Sequence, residues 1–258
     1  MAETVTLHSK VVGAGPALII LHGLFGSLDN WLSHAKVLAE SYTVHLVDQR
    51  NHGKSPHAEA WTYSLMAEDL LAYMDEQGIT TASLLGHSMG GKTALTFADA
   101  YPERLEKLII ADMTPKRYKP HHNEIIQALL SVPLPSLSQR NEVDELLKTG
   151  VPEVGVRQFL LKGLGRNPDK HLTWKFNLPV ISQKYEEVLK EIPLEDSNYL
   201  PTLFIYGANS SYLAETDIEV LTRLFPLAQF VAVPDAGHWL HAENPGYFLQ
   251  EITHFLAA

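Results

Sequence analysis

Ala82-Ser83-Leu84-Leu85-Gly86-His87-Ser88-Met89-Gly90-Gly91 decides the fold of this chain. A short apolar run, Ala82–Leu85, reads as a buried strand, and the residues after Gly90 carry a helical pattern. Between them lies G-x-S-x-G, the turn that sets a serine on a sharp strand-to-helix bend. Glycines are needed on both sides because a side chain there would meet neighbouring backbone. The bend lifts the Ser88 hydroxyl clear of the sheet and aims the first helical amides at whatever that oxygen attacks.

Outward from this point, short runs rich in Leu, Ile and Val alternate with longer helical patterns. Ala17–Leu21, Thr43–Val47, Leu108–Ala111, Thr202–Tyr206 and Gln229–Val233 read as further strands. They are mostly apolar rather than alternating, which predicts burial on both faces. Helices are expected over Trp31–Glu40, Ser64–Glu76, Gly90–Tyr101, Thr216–Leu224 and Pro245–Leu256. The alternation predicts an α/β fold, a mostly parallel sheet with helices on both faces. The rhythm breaks between Thr114 and Asn198. That stretch shows helical patterns near Asn123–Leu130, Glu142–Thr149, Glu153–Leu161 and Val180–Lys190 and no convincing strand. We read residues 1–113 and 198–258 as the core and 114–197 as a helical cap inserted at the carboxyl edge, where such insertions cover the site.

Two further segments join Ser88 at that edge. His22-Gly23-Leu24-Phe25-Gly26 follows the strand Ala17–Leu21 and can supply a second oxyanion amide beside that of Met89. Leu24 is the candidate and Phe25 the neighbouring alternative. His22 reads as a residue that holds the loop. Gly237-His238-Trp239 follows Gln229–Val233, which makes His238 the candidate base; His241 is ranked below it, in the following turn. Phe25, His87 and Trp239 flank these groups and are candidate substrate contacts.

The acid is expected at Asp112. The stretch Gly207-Ala208-Asn209-Ser210-Ser211-Tyr212 has no carboxylate, and Glu215 and Asp217 fall inside the next helix. Asp112 ends the strand after the nucleophile helix, and the order Ser88, Asp112, His238 is the one this turn demands.

These motifs resemble the α/β-hydrolase superfamily, and within it the small bacterial esterases of the YbfF type and their ABHD11-like animal relatives. The likeness spans essentially the whole chain. It is carried by His22–Trp31, Asp48-Gln49-Arg50-Asn51-His52-Gly53-Lys54-Ser55, Gly86–Lys92, Gly207–Ser210 and Gly237–Glu243. It implies a core sheet of about eight strands, a helical cap, and hydrolysis of carboxylic esters or thioesters. Asp48–Ser55 reads as a structural loop, with Arg50 bridging carbonyls and carboxylates.

The expected function is a serine hydrolase acting through an acyl-serine on short- to medium-chain acyl esters or thioesters, acyl-CoA among them. A C–C bond hydrolase, lyase or perhydrolase on the same triad is the alternative. A non-enzymatic ligand receptor on the same scaffold is the reading from another class.

Composition excludes other classes. The chain has 258 residues, 45% hydrophobic and 19% charged, with a formal net charge of −10, which speaks against a nucleic-acid binder. It has no cysteine. That removes disulfides, thiolate nucleophiles and Cys-ligated metals, and fits a reducing compartment. The start, Met1-Ala2-Glu3-Thr4, does not read as a secretory signal, and no apolar run nears the roughly 20 residues of a membrane span. A cytoplasmic protein is expected. Neither a dinucleotide nor a nucleotide-triphosphate motif is present, so no cofactor is expected. The histidine pairs His121-His122 and His238-x-x-His241 lack metal-site spacing, so no metal is expected. The expected partner is a small acyl ester or thioester, with no obligate protein partner. Lys116-Arg117-Tyr118-Lys119-Pro120-His121-His122 is a local basic run near the site mouth, read as a solvated turn or as a receiver for an anionic leaving group.

Overall fold

The structure, a computed structural model, describes residues 3–194 and 196–258. Met1 and Ala2, from the start read for a leader, and Glu195, from the expected cap, lie outside them.

The strands are β1 (Ser9–Val12), β2 (Ala17–Leu21), β3 (Thr43–Val47), β4 (Ala82–His87), β5 (Leu105–Ala111), β6 (Leu164–Arg166), β7 (Leu172–Trp174), β8 (Thr202–Gly207) and β9 (Ala228–Val233). The helices are α1 (Leu32–Leu38), α2 (Tyr63–Glu76), α3 (Met89–Ala100), α4 (Asn123–Ser131), α5 (Arg140–Leu147), α6 (Val154–Lys162), α7 (Leu178–Gln183), α8 (Tyr185–Leu189), α9 (Glu215–Leu224), α10 (Leu240–Glu243) and α11 (Pro245–Ala257). The main sheet runs β1-β3-β2-β4-β5-β8-β9, parallel throughout except for β1, which pairs antiparallel with β3.

Why the strands read as unbroken apolar runs is visible in the packing. Ile19, Leu21, Leu84, Leu108, Ile110 and Phe204 pack on one face with residues of α2 and α3. Leu18, Ile20, Leu85, Ile109, Ala111 and Ile205 pack on the other with residues of α1 and α11. Successive side chains point to opposite faces, so a strand covered twice is apolar at every position.

Between β5 and β8 the chain builds α4 to α8. Their apolar residues form a cluster that takes in Leu24, Phe25, Trp61 and Met89 from the sheet's carboxyl edge. Among the described residues the main sheet has 7 strands, where the resemblance implied about eight. Three further details differ from the sequence reading. β1 was not foreseen: it is a short edge strand with half-buried and exposed positions and no apolar run. The insertion does contain strands, the antiparallel pair β6 and β7, each only 3 residues long. The single helix expected over Val180–Lys190 is two helices, α7 and α8, broken at Lys184. Periodicity needs more residues than these elements offer.

Candidate active site

The parallel strands end together, and β2, β4, β5 and the loop after β9 bring the candidate residues to one edge. Ser88 sits between β4 and α3 with φ 54° and ψ −118°. A non-glycine residue at positive φ is strained by on the order of 1–3 kcal/mol, so its surroundings must hold it there. They do. A Cβ on Gly86 would lie 2.2 Å from the Gly90 carbonyl oxygen, and one on Gly90 would lie 2.5 Å from that of Leu21. The turn is therefore pressed against β2, and the Ser88 N–H donates to the Ala111 carbonyl at 3.1 Å.

His238, in the loop between β9 and α10, has Nε2 3.0 Å from Ser88 Oγ and Nδ1 2.6 Å from Asp112 Oδ2. A carboxylate only accepts, so Nδ1 donates and Nε2 is left to take the serine proton. Asp112 directly follows β5, is fully buried, and has φ 50°. Its Oδ1 also accepts the Gly207 N–H at 3.2 Å, and its Oδ2 the Ser210 hydroxyl at 2.5 Å. Asp217 is elsewhere, in α9, paired with Lys116 and accepting the Ala214 N–H at 2.8 Å. Glu215 opens the same helix.

The oxyanion candidates flank Ser88. Met89 is the first residue of α3, where a helix has no internal partner for its N–H. Phe25, at φ 62°, gives its N–H to His52 Nε2 at 3.3 Å, whereas among the described residues the Leu24 N–H has no partner. Of the two candidate amides, that of Leu24 is the unpaired one. His22 supports the loop. Its Nδ1 donates to the Gly23 carbonyl at 2.8 Å and its Nε2 accepts the Gln49 N–H at 3.1 Å. Burial lowers it to about 4, so it is neutral. The Asp48–Ser55 loop is likewise internal. Asp48 accepts the N–H groups of Leu28 and Lys54, and Arg50 forks onto buried Asp69 at 2.5 and 2.7 Å.

Phe25, His87 and Trp239 line one narrow pocket with Ser88 and His238. His87 is buried and its Nε2 donates to the His238 carbonyl at 2.8 Å; burial pushes it down to about 3. It holds the His238 loop from behind. A larger cavity of about 700 Å³ lies between His8–Lys10, the loop around Lys54 and the β6–β7 hairpin, and none of the three hydrogen-bonded residues lines it. His241 is in α10, not in a turn, and is buried face to face with Trp31 at 4.5 Å.

Two residues escaped the sequence reading. Tyr212 stacks on the His238 ring at 3.8 Å and 14°, and its carbonyl accepts the Tyr118 hydroxyl at 2.8 Å. Lys92 is fully buried; its Nζ donates to the carbonyls of Leu189 and Lys190 and lies 4.9 Å from the Tyr118 ring. It ties α3 to the end of α8, and burial lowers it to about 7. Only the position of Lys92 in Gly86–Lys92 hinted at this. In the basic run, Lys116 pairs with Asp217 and Arg117 with Glu186 at 2.6 Å, and Tyr118 is half-buried with its ring 5.5 Å from the Lys116 Nζ.

A serine on a glycine-bounded bend, a histidine bridging it to a buried carboxylate and free amides beside it define a hydrolase of the α/β class. The chain belongs to the alpha/beta hydrolase family, whose profile, described as the alpha/beta hydrolase fold, matches residues 16–134. It is 38% identical over 251 residues to the sn-1-specific diacylglycerol lipase ABHD11 of Mus musculus, covering 94% of this chain and 81% of that one. It is 36% identical over 242 residues to the esterase YbfF of Escherichia coli K12, covering 93% and 92%. Among solved structures, a marine microorganism esterase superposes with a TM-score of 0.95 at 40% identity, covering 98% of this chain and 100% of that one. Among the described residues no helix is long and apolar enough to cross a membrane.

Proposed function

We propose that Ser88, His238 and Asp112 are the catalytic triad and that Leu24 and Met89 form the oxyanion hole. The chain is a serine ester hydrolase. The observation that carries the triad is His238 itself, within hydrogen-bond distance of Ser88 Oγ at 3.0 Å and Asp112 Oδ2 at 2.6 Å. His238 Nε2 takes the Ser88 proton as Oγ attacks the acyl carbonyl. The carbonyl oxygen becomes an oxyanion that the Leu24 and Met89 N–H groups receive. His238 returns the proton to the departing alcohol or thiol, leaving an acyl-serine. It then deprotonates water, which releases the acid and restores Ser88. Asp112 keeps the imidazole proton on Nδ1 and offsets the charge of the imidazolium.

The segment 114–197 acts as the cap over this site, supported by its apolar cluster with Leu24, Phe25 and Met89. The substrates are short- to medium-chain acyl esters and thioesters. Lys116 and Arg117 already have carboxylate partners, so neutral esters are favoured over acyl-CoA. A cysteine-free chain fits a reducing compartment, and cytoplasmic placement belongs to this reading. A receptor on the same scaffold would not need the aligned proton path. A fluorophosphonate probe with hydrolysis of graded esters and thioesters tests the reading. The wild type should label and turn over, and Ser88→Ala should do neither. Turnover by Ser88→Ala would refute it.

A further inference from the structure

His121 and His122, just before α4, are absorbed by neither the triad nor the structural loops. They hold opposite tautomers. His121 Nδ1 lies 2.8 Å from the Lys119 carbonyl, which only accepts, so Nδ1 carries the proton and Nε2 accepts the Tyr212 hydroxyl. For His122 the order is reversed. The Tyr185 hydroxyl oxygen faces the backbone N–H groups of His122 at 3.1 Å and His121 at 3.4 Å. Both can only donate, which fills the oxygen's two lone pairs. Its own hydrogen then goes to His122 Nδ1, 2.8 Å away. The remaining ring proton of a neutral His122 is on Nε2. Burial, reinforced by His121 and His238, lowers this ring to about 3, so it stays neutral at physiological pH.

His122 lines the pocket of Ser88 and His238. Its neighbours there, Leu24, Phe25, Ile125 and Phe159, present carbon side chains, and the His87 Nε2–H is spent on the His238 carbonyl. Among the described residues the His122 Nε2–H has no protein acceptor. Trp239 brings an indole N–H to the same lining, but among the described residues no hydrogen bond fixes it, whereas the His122 donor is fixed by Tyr185, which makes it a recognition element.

We propose that His122 determines specificity by donating its Nε2–H to an acceptor oxygen of the substrate outside the scissile ester group. The enzyme then prefers esters with an ether, hydroxyl or second acyl oxygen near the reacting carbonyl over hydrocarbon isosteres. This rests on the reading of Ser88 and His238 given above.

The test compares kcat/KM for isosteric pairs, butyl butyrate against methoxyethyl butyrate and propyl pentanoate against propyl methoxypropanoate. They place the oxygen on the alcohol and the acyl side respectively. In the wild type one oxygenated ester should be preferred by roughly fivefold, the worth of one neutral hydrogen bond. In His122→Phe that ratio should fall to about one. No preference in either pair, or a ratio unchanged in His122→Phe, would overturn the proposal. Fluorophosphonate labelling of Ser88 reads the triad separately; a wild type that does not label refutes the triad rather than the role of His122 alone. If His122→Phe does not fold, the histidine nitrogen NMR spectrum of Ser88→Ala decides. The His122 proton should be on Nε2, and a proton on Nδ1 or on both nitrogens would overturn the proposal.

Discussion

Asp112 and Asp217 separate what a carboxylate does at the centre of the site from what one does at its margin. Asp112 is fully buried and accepts from His238, Ser210 and Gly207. Asparagine in its place can present an N–H to Nδ1 and so force the wrong tautomer on His238. Asp112→Asn should lower kcat by about 10⁴-fold with the fold intact. Asp217→Asn should cost only the Lys116 pair and a helix-start contact, leaving kcat within about twofold. Steady-state kinetics of both variants check this, and the reverse ranking would refute the assignment. Ser210→Ala removes one charge-assisted donor from Asp112 and should lower kcat roughly tenfold. Ser88, Asp112 and His238 were legible in the chain because glycines and strand ends bracket them. Tyr212 on His238 and buried Lys92 were not, because their partners lie 26 and 98 residues along the chain and become neighbours only once the sheet and α8 are built.

At the scale of elements, β4, the bend and α3 work as one part because nothing larger than hydrogen fits at its contacts. A Cβ on Gly90 meets the carbonyl oxygens of Leu21 at 2.5 Å and His22 at 2.7 Å. Gly90→Ala should therefore cost about 1–3 kcal/mol and reduce kcat, because Ser88 moves with the bend. Gly155, inside α6, has nothing within 4 Å of its added Cβ. Gly155→Ala should raise stability by about 0.5–1 kcal/mol. Urea denaturation of the two variants should show opposite signs, and equal losses would show that crowding at the bend is not what the glycine serves. The sheet was readable from its runs of buried aliphatics. The β6–β7 pair was not, since its strands of 3 residues cannot display a period, and β1 was hidden by its exposed edge position.

The whole molecule carries a set of histidines folded in the neutral form. Burial lowers His22 to about 4 and His52 and His87 to about 3, and carries His241 well below its usual value. In the unfolded chain each would titrate near 6.5, so the unfolded state binds more protons below that pH. Their contribution is fully present above pH 6.5 and is lost as pH falls from 6.5 toward 4 and 3. The loss is about 1.4 kcal/mol per pH unit for each such histidine. The urea midpoint should drop steeply between pH 6.5 and 5, and a flat profile would mean these rings are charged or exposed in the folded protein. In the proposed mechanism the same assembly, with β2, β4, β5 and the loop after β9 meeting at one edge, lets Ser88 carry an acyl group. Rapid mixing with a p-nitrophenyl ester, acid quenching and peptide mass analysis tests that claim most directly. The acyl mass should appear on the peptide that holds Ser88 and be absent in Ser88→Ala, which should not turn over. Full turnover with no acyl mass on Ser88, or an acyl group found on another residue, would contradict it.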